Sequence, residues 1–409
     1  MGSSEPENGC DVAIIGGGIG GLATALALHR KGFQNVAVYE KSNSLRAEGT
    51  AIGIFANGWR ALDQLGVGDQ LRDKAVLIQG GQEILFDQDQ PQNMPYPAGE
   101  ARCVKRSDLT NALANALPPD TVRFGFNLVS LEMDNQSMTP VLQFDDGKTL
   151  TAKVVIGCDG SNSVVASFLG LKAATLVSLG SVRGLANYPD GHQFPPLFTR
   201  IKRDQGDGMV FGLIPIDDKL VYWFLTLPLP LLDGKFRDDP ELIKDATLRM
   251  INGYPADAIE MVEKSDLDSL SFTRLRYRHP WEILVGGFRK GSVALVGDAM
   301  HVMGPFIGQG GSASLEDAVV LARNMAQKID ILDRCGVGTQ IMSHKKIEEA
   351  FDQYVKDRRM RIFQLSTQTY LVGLLLGRTS FATKFIAVKI LHIFFRDPSG
   401  HTKYDCGKL

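Results

Sequence analysis

Three segments of the chain share one pattern, in which a short apolar run rich in β-branched residues ends in glycines beside an acidic residue. They read VAIIGGGIGG from Val12, VVIGCDGSNS from Val154 and VALVGDAMH from Val293. Continuous apolar runs of this length are typical of strands buried in a parallel sheet. Glycines directly after such strands let the backbone come close to a nucleotide. The pattern therefore predicts an α/β fold with a nucleotide-binding sheet.

The sequence between the second and third segments has a different pattern. From about Leu179 to Arg278 it consists of proline-bounded stretches rich in β-branched and aromatic residues. The side chains that alternate along one such stretch are Val221, Trp223 and Leu225 on one face and Leu220, Tyr222 and Phe224 on the other. Because both faces are bulky, we predict a sheet covered on both sides, with a hairpin turn at Asp217-Asp218-Lys219.

The two patterns divide the chain, whose 409 residues suffice for two domains. We expect a nucleotide-binding domain assembled from discontinuous segments, with a β-rich domain inserted between them. The predicted boundaries are 1–78, 101–178 and 286–345 for the first domain, 79–100 and 179–285 for the inserted domain, and 346–409 for a C-terminal helical region.

The first segment carries a complete dinucleotide fingerprint. The strand Asp11–Ile15 leads into a G-x-G-x-x-G stretch, a helix over Leu22–Arg30 follows, and a second strand over Asn35–Tyr39 ends at Glu40. The glycines are Gly16, which permits the turn, Gly18, which lets the backbone approach a pyrophosphate, and Gly21, which lets helix and strand pack closely. Glu40 can accept hydrogen bonds from both hydroxyls of an adenosine ribose. This favours FAD or NAD over NADP as the tightly held nucleotide.

The third segment continues into a second glycine loop. The predicted strand Ser292–Val296 ends at Gly297-Asp298, and Pro305 and Gly308–Gly311 precede a helix over Ser312–Met325 for which Ser312 is a suitable N-cap. Backbone amides at such a helix start would stabilise the negative charge that a reduced flavin develops around its pyrimidine ring. This feature favours FAD.

These motifs resemble those of a known enzyme family. The stretch GDAMHVMGPFIGQGGSASLEDAVVLA is similar to the GD motif of class A flavoprotein monooxygenases, the family of para-hydroxybenzoate hydroxylase, salicylate hydroxylase and zeaxanthin epoxidase. GCDGSNSVV resembles the same family's DG motif, and the three motifs occur in family order. The resemblance implies a Rossmann-type FAD-binding domain like that of para-hydroxybenzoate hydroxylase, an inserted β-sheet substrate domain and C-terminal helices. The chain looks most like plant enzymes near zeaxanthin epoxidase and salicylate-hydroxylase-like monooxygenases.

The resemblance also implies roles for individual residues. Those implied for FAD binding are Gly16, Gly18, Gly20, Gly21, Glu40, Arg46, Ala51, Arg106, Asp159, Asp298, Gly308, Gln309, Gly310 and Gly311. Asp298 would hold the ribityl chain, and Pro305 and Gly311 are the catalytic candidates, with Pro305 beside the flavin where O2 reacts. The positive charge of Arg106 agrees with a role in FAD binding, because a cation at a helix start is unfavourable unless an anion is near. A solvated basic pair with Lys105 remains the alternative.

The reaction follows from the same resemblance. FAD would be bound tightly and non-covalently, and NADPH or NADH would bind transiently, since only one complete dinucleotide fingerprint exists. O2 would then form a flavin C4a-hydroperoxide that transfers one oxygen atom to an aromatic or unsaturated apolar small molecule. Hydroxylation, epoxidation and oxidative decarboxylation stay open. The alternatives are a FAD-dependent halogenase or oxidase, or a FAD-binding sensor without turnover.

Candidates for the substrate site come from the inserted domain. Phe211, Tyr222 and Phe224 would line an aromatic pocket, although packing in a core accounts for such residues more often. Arg183 or Arg200 would pair with a substrate carboxylate if one is present. The sequence shows no general base, which favours a substrate that needs none, such as an alkene.

Two further residues lie in the motifs themselves. For His301 the expected role is to position the loop rather than to take part in catalysis, and for Asp159 it is to order the turn that follows its strand.

Composition and charge exclude other classes of protein. A net charge of -2 offers no positive field for nucleic acid. The five cysteines are scattered, without metal-ligand spacing, which predicts a reduced interior and no metal.

We find no signal or transit sequence, so the expected location is cytoplasmic, or organellar if a transit peptide has been removed. The apolar runs Tyr370–Leu376 and Phe385–Phe395 are too short to span a membrane and predict either packed helices or contact with a membrane surface.

Overall fold

A computed structural model describes residues 10–45, 50–86, 90–202, 208–229, 239–330, 343–377, 379–397 and 399–409. Its α-helices are α1 (Ile19–Arg30), α2 (Ala56–Leu65), α3 (Gly68–Arg72), α4 (Arg106–Asn115), α5 (Val164–Phe168), α6 (Pro240–Met250), α7 (Ala256–Glu263), α8 (Pro280–Val285), α9 (Asp298–His301), α10 (Gly310–Lys328), α11 (His344–Leu376) and α12 (Phe381–Phe394). Its strands are β1 (Val12–Ile15), β2 (Val36–Glu40), β3 (Ala51–Phe55), β4 (Gly80–Leu85), β5 (Gln92–Met94), β6 (Ala101–Lys105), β7 (Val122–Phe124), β8 (Leu128–Met133), β9 (Pro140–Phe144), β10 (Thr149–Thr151), β11 (Val154–Gly157), β12 (Thr175–Asn187), β13 (Leu197–Lys202), β14 (Val210–Pro215), β15 (Leu220–Pro228), β16 (Ser271–Tyr277), β17 (Arg289–Lys290) and β18 (Val293–Leu295).

The first sheet has six strands in the order β17-β18-β11-β1-β2-β7. All neighbouring strands are parallel except β17 and β18. Strands β1, β2 and β11 are buried along their whole length, as expected for apolar strands covered on both faces. The three strand-and-glycine segments lie side by side as β1, β11 and β18, so their carboxyl ends meet at one edge of the sheet. The predicted α/β fold is confirmed.

The second sheet has seven strands in the order β16-β12-β15-β14-β13-β4-β5. Its interior strand β15 shows the predicted alternation of side chains. Trp223 and its neighbours on one face pack with residues of α6 and α7, while Tyr222 lies on the other face beside Leu220 and Phe224. The two faces therefore have different neighbours, because one is covered by α6 and α7 and the other packs against residues of β3 and β6.

The hairpin between β14 and β15 turns at Asp217. Its Oδ1 accepts hydrogen bonds from the amides of Lys219 and Leu220 at 2.9 and 2.8 Å. An aspartate that hydrogen-bonds the backbone two and three residues later stabilises a tight turn. The predicted turn thus fixes the register of the two strands that carry the aromatic residues.

The C-terminal part of the chain is helical. Helix α11 extends over 33 residues and lies against α8 and α10, and α12 lies against α11. The hydroxyl of Tyr354 donates a hydrogen bond to the carbonyl oxygen of Leu295 at 2.9 Å, which connects α11 to β18. Arg358 on α11 is fully buried, whereas α12 buries little besides Ala387. Helix α11 therefore contributes side chains to the protein interior, whereas α12 lies mainly at the surface.

Three chemical features of the described residues bear on function. Among the described helices, none has both the length and the apolar character needed to cross a bilayer. In the same ranges, no group of three or more histidine, cysteine, aspartate or glutamate side chains is placed to hold a metal ion. The described cysteines Cys10, Cys103, Cys158 and Cys406 are free thiols.

Candidate active site

A cavity of about 1110 Å³ lies between the carboxyl ends of β1, β11 and β18 and the second sheet. This volume is slightly larger than the roughly 300–1,000 Å³ of ordinary ligand sites, so the cavity has room for a cofactor together with a second small molecule. The sequence-predicted residues that line it are Gly16, Gly18, Gly20, Glu40, Ala51, Arg106, Asp159, Tyr222, Phe224, Asp298, Pro305, Gly308, Gln309, Gly310 and Gly311. Gly21 and Phe211 lie outside its lining.

The N-terminal glycines shape one end of the cavity. Gly16 has a φ of +105°, and a Cβ there would lie 2.5 Å from the carbonyl oxygen of Cys158. A Cβ on Gly21 would lie 1.9 Å from the carbonyl oxygen of Gly16, so Gly21 lets α1 pack directly against the loop. Gly18 precedes α1, and a Cβ there would meet no atom within 4 Å. Open space therefore lies in front of a helix N-terminus, where phosphates bind.

Glu40 ends β2 at the rim of this space and is 6% exposed. Its Oε2 accepts a hydrogen bond from the amide of Gly17 at 2.6 Å, and its Oε1 accepts one from the amide of Ser42 at 3.0 Å. These two bonds fix the direction of the carboxylate. Because a carboxylate accepts up to about four hydrogen bonds, Glu40 can also accept bonds from ribose hydroxyls.

The second motif forms a capped turn after β11. Oδ2 of Asp159 accepts hydrogen bonds from the amides of Val164 and Val165 at 2.7 and 3.3 Å. Ser163 caps α5 by accepting a bond from the amide of Ala166 at 2.8 Å. Burial raises the pKa of Asp159 despite these hydrogen bonds. The carboxylate orders the turn, as expected from the sequence, and its Oδ1 is buried without a partner among the described residues.

The third motif forms another wall of the cavity. Asp298 begins α9 and is exposed toward the cavity, and Pro305 begins a short 3-10 helix. Helix α10 begins at Gly310, where a Cβ would meet nothing within 4 Å, so open space lies beside the start of a helix whose first amides have no partner within the helix. The helix begins two residues earlier than predicted. Ser312 lies within the first turn and is buried, and the residue at the cap is Gln309.

A buried charge network lies behind this loop, and the sequence did not reveal it. Oδ2 of the fully buried Asp317 accepts a hydrogen bond from the amide of Gly297 at 3.0 Å and lies 2.6 Å from Nε2 of His301. Its Oδ1 accepts a bond from Nε of Arg358 at 2.7 Å. Burial alone would raise the pKa of Asp317, but the charges of His301 and Arg358 lower it to about 2. His301 therefore positions the loop and does not line the cavity.

Glu316 extends the network toward the cavity. Its carboxylate accepts hydrogen bonds from Nη2 of Arg358 at 2.8 Å, from Nη2 of Arg361 at 2.9 Å and from Nδ2 of Asn57 at 2.6 Å. Burial opposes ionisation, yet the two arginines lower the pKa of Glu316. Nδ2 of Asn57 also donates to Oε1 of Gln309 at 2.8 Å, and Gln309 lines the cavity.

One feature of the sequence indicated this buried network. Glu316 and Asp317 are adjacent acids in the otherwise apolar helical stretch LEDAVVLA, and acids on a buried helix need partners. The partners themselves, on α11, follow only from the fold.

The remaining predicted cofactor residues lie along β3 and α4. Ala51 is 8% exposed and pairs with Lys105 across the β3–β6 ladder. Arg106 begins α4, its amide donates to the carbonyl oxygen of Thr50 at 3.1 Å, and its exposed side chain lines the cavity. Arg46 lies outside the described residues.

The second sheet supplies the far end of the cavity. Tyr222 and Phe224 face the cavity from β15, and the ring of Phe198 stacks on that of Phe224 with centroids 6.3 Å apart. Phe211 is fully buried on the opposite face, 5.5 Å from the ring of Trp223, because the register of β14 and β15 puts the two rings together under the helices. Burial raises the pKa of Tyr222 to about 12, so its hydroxyl stays protonated at neutral pH.

These features fit a flavin dinucleotide. The open space at Gly18 and Gly310 lies at two helix N-termini, which stabilise a pyrophosphate and a negatively charged ring. Two buried polar atoms without partners among the described residues, Asp159 Oδ1 and Gln309 Nε2, belong to the same lining. Beyond them the cavity ends at aromatic side chains.

Comparison with known proteins decides the family. The family described as FAD binding domain matches residues 9–368. Monooxygenase 1 of Arabidopsis thaliana is 45% identical over 406 residues, which cover 97% of this chain and 99% of that protein. Monooxygenase 2 of the same plant is 35% identical over 423 residues, which cover 99% of each. The chain belongs to this family of FAD-dependent monooxygenases.

Structural comparison agrees on the fold of this monooxygenase. The structure of Klebsiella pneumoniae HpxO complexed with FAD and uric acid matches with a TM-score of 0.74 at 23% identity, and the match covers 96% of each chain. The sequence-based predictions of fold class, FAD cofactor and enzyme class are confirmed, and NAD(P)H is the electron donor typical of the family.

Proposed function

We propose that this monooxygenase hydroxylates an aromatic ring held between the Pro305 loop and the aromatic face of the second sheet. The observation that carries the proposal is the continuity of the cavity, whose lining includes both Glu40 and the aromatic pair Tyr222 and Phe224. Aromatic side chains bind flat rings by stacking or edge contacts. The structural neighbour HpxO holds uric acid, a flat ring compound, together with FAD, which supports the proposal.

The cofactor end would bind and orient FAD. Glu40 would accept hydrogen bonds from the ribose, Gly18 would let the pyrophosphate reach the N-terminus of α1, and Asp298 would accept bonds from the ribityl hydroxyls. The first amides of α10, at Gly310 and Gly311, would stabilise negative charge on the pyrimidine ring. When bound, FAD supplies the redox chemistry by taking a hydride from NAD(P)H and activating O2.

The sheet end would position the substrate and exclude water. Phe198, Ile214 and Phe224 give this end an apolar lining, and a dry site prevents the reducing equivalents from being lost as hydrogen peroxide. The protonated hydroxyl of Tyr222 would donate a hydrogen bond to a polar group on the ring. In this arrangement the protein orients the substrate and excludes water from it.

The test is an oxygen-incorporation assay with FAD-loaded protein. We expect NADH or NADPH to be oxidised in air, faster in the presence of a suitable phenolic or heteroaromatic compound. With ¹⁸O2, the product should carry one labelled oxygen atom by mass spectrometry. Two results together would contradict hydroxylation and show that the reaction is epoxidation. In the first, every ring compound stimulates the oxidation of NADH or NADPH but yields only hydrogen peroxide. In the second, an isoprenoid alkene is converted to its epoxide.

We infer the same domain division as from the sequence. The second sheet takes its strands from two parts of the chain, β4 and β5 and then β12 to β16, while β1, β2, β7, β11, β17 and β18 form the first sheet. This distribution supports a FAD-binding domain of 1–78, 101–178 and 286–345, a substrate domain of 79–100 and 179–285, and a helical region of 346–409.

We also propose that α12 rests on an anionic lipid surface. Its side chains Phe381 and Phe394 are 85% and 74% exposed, and Phe385 is 54% exposed. The helix carries Lys384 and Lys389 and no acidic residue. An apolar helix whose ionic side chains are all basic is suited to the boundary between headgroups and acyl chains of an anionic bilayer.

Vesicle flotation tests this contact. The FAD-loaded chain should float with phosphatidylcholine vesicles that contain phosphatidylserine, less well in high salt, and the Phe385→Ser/Phe394→Ser double variant should not float. Trp281→Ser is the matched control, because Trp281 on α8 is 66% exposed, between Phe385 and Phe394. Failure of the parent chain to float, or a parent dimer that the double variant dissociates, would contradict the proposal.

For the location we propose the cytoplasm. The free thiols of Cys10, Cys103, Cys158 and Cys406 support a reducing compartment. Fractionation of cells that express the tagged protein tests this, and recovery in an organelle would contradict it.

A further inference from the structure

One buried hydrogen bond joins the start of α2 to the loop that lines the cavity. Nδ2 of Asn57, in the first turn of α2, donates to Oε1 of Gln309 at 2.8 Å, and both side chains are completely buried. Nε2 of Gln309 has no partner among the described residues, so within them this bond is the one hydrogen bond of the Gln309 side chain. The orientation of the Gln309 side chain therefore depends on Asn57.

Asn57 is itself held by a charged group that does not depend on it. The same Nδ2 donates to Oε1 of Glu316 at 2.6 Å, and the Glu316 carboxylate also accepts bonds from Arg358 and Arg361 at 2.8 and 2.9 Å. The charges of the two arginines lower the pKa of Glu316 more than the bond from Asn57 does. A substitution at Asn57 would therefore leave these charges paired and remove only the link to Gln309.

The packing around this link leaves little room for movement. A Cβ on Gly58 would lie 2.5 Å from Oγ of Ser312, so the start of α2 lies directly against the first turn of α10. A Cβ on Gly311 would lie 2.3 Å from Cδ1 of Ile52, so β3 lies against the same turn. Because close-packed contacts transmit displacements, a shift of the Gln309 side chain would also move the backbone that follows it.

The backbone that follows Gln309 needs such a constraint. Gln309 immediately precedes α10, and the first two residues of the helix are Gly310 and Gly311. Glycine has more conformational freedom than any other residue, so these two residues do not fix the direction of their own amides. Amides stabilise a developing charge strongly only when they are aligned before the charge appears. The anchored side chain of Gln309 supplies this alignment from outside the helix.

We propose that Asn57 is a positioning residue, which acts through Gln309 to align the first amides of α10 with the pyrimidine ring of FAD and thereby raises the reduction potential of the bound flavin. This inference rests on the proposed placement of the flavin at the start of α10. Reduced flavin carries negative charge on this ring, so amides directed at the ring stabilise the reduced form more than the oxidised form.

The reduction potential of the bound flavin tests the proposal. The FAD-loaded parent and the Asn57→Leu variant are reduced without oxygen beside a reference dye, and the two-electron midpoint potential is measured. Leucine has the branching of asparagine but no donor. Asn57→Leu should weaken the preference for reduced over oxidised flavin about tenfold, which lowers the potential by about 30 mV.

Asn324→Leu is the matched control. Nδ2 of Asn324, also on α10, donates two hydrogen bonds, to the carbonyl oxygen of Val320 at 2.9 Å and to Oδ2 of Asp357 at 3.0 Å. Asn324 is 2% exposed and lies outside the cavity lining. The variant should lose stability but keep the potential of the parent. An equal fall in potential in Asn324→Leu would show a general effect of destabilising the helix and would overturn the proposal.

A second substitution shows whether Asn57 acts through Gln309. Gln309→Met removes the acceptor at similar side-chain length and should lower the potential as well. The Asn57→Leu/Gln309→Met double variant should have about the potential of Gln309→Met alone, because residues that act through one contact have non-additive effects. Additive shifts would overturn the link between the two residues. Gln309→Met alone decides the matter if Asn57→Leu does not retain FAD, since it breaks the same bond.

The measurement is independent of the substrate. An unchanged potential in FAD-loaded Asn57→Leu or in Gln309→Met would overturn the positioning role, whatever the enzyme oxidises. The expected fall in potential, with no aromatic ring hydroxylated by the parent, would support the role of Asn57 and contradict the proposed hydroxylation. Labelled product from an aromatic ring, with unchanged potentials in both variants, would support the hydroxylation and contradict the role of Asn57.

Discussion

Nε2 of His301 lies 2.6 Å from Oδ2 of Asp317, and both side chains are completely buried. The contact joins α9, the short helix that begins at Asp298, to α10, the helix whose start lines the cavity. Arg358 holds the other oxygen of Asp317, so α11 closes the arrangement from behind. The position of the loop that lines the cavity thus depends on buried charges outside the cavity lining.

Removing the central cation should destabilise the fold. Arg358→Met leaves Glu316 and Asp317 buried with one cation fewer, which should lower the free energy of unfolding by about 3–5 kcal/mol. The matched control is Arg289→Met, whose partners Glu348 and Asp352 lie at the surface, and which should cost about 1 kcal/mol at most. Denaturant unfolding of both variants measures the difference, and equal costs would contradict the importance of the buried network.

The same network predicts a dependence of stability on acid pH. The pKa of Asp317 is lowered from its ordinary value of 3.8 to about 2 in the folded protein. Its contribution, about 2 kcal/mol, is therefore fully present above pH 4 and is lost as the pH falls toward 2. In Asp317→Asn, the free energy of unfolding should change less over this interval than in the parent. Parallel pH curves for the two proteins would show that Asp317 is not the titrating group.

Gly18→Ala should separate cofactor binding from folding. A methyl group at Gly18 meets no protein atom within 4 Å and the residue has a φ of -80°, which alanine adopts readily. The melting temperature of the FAD-free protein should stay the same, while the dissociation constant for FAD rises about tenfold or more, since the methyl would occupy the path of the pyrophosphate. Gly287→Ala is the control, because it is equally unobstructed but lies outside the cavity. Unchanged FAD affinity in Gly18→Ala would place the cofactor elsewhere.

Two phenylalanines on opposite faces of the second sheet should behave differently. Phe211→Ala removes a fully buried ring stacked on Trp223 and should cost about 3–5 kcal/mol of stability. Phe224→Ala removes a part-exposed ring that lines the cavity, so it should cost less stability and should raise the KM for the substrate that stimulates NAD(P)H oxidation. Thermal unfolding and steady-state kinetics of both variants check this, and a larger KM effect in Phe211→Ala would reverse the assignment of the faces.

The sequence by itself determined the nucleotide half of this protein. Gly16, Gly18, Gly21 and Glu40 lie within one β-α-β unit, so their relative positions follow from local geometry. The alternation in β15 and the turn at Asp217 were likewise readable, because the side-chain period of a strand and the chemistry of a turn are local properties. The GD motif carried enough local pattern to identify the family.

Only the tertiary structure decided the rest, because it depends on residues that are far apart in the chain. The register between β14 and β15 put Phe211 under the helices and left Phe224 at the cavity, and a shift by one residue would exchange the faces. The packing of α11 on α10 brought Arg358 to Asp317, 41 positions away. The parallel pairing of β13 with β4 gave Arg200 its partner Glu83, whereas Arg183 has no carboxylate partner among the described residues. Sequence supplied the candidate charges, and the fold determined which of them are paired with one another.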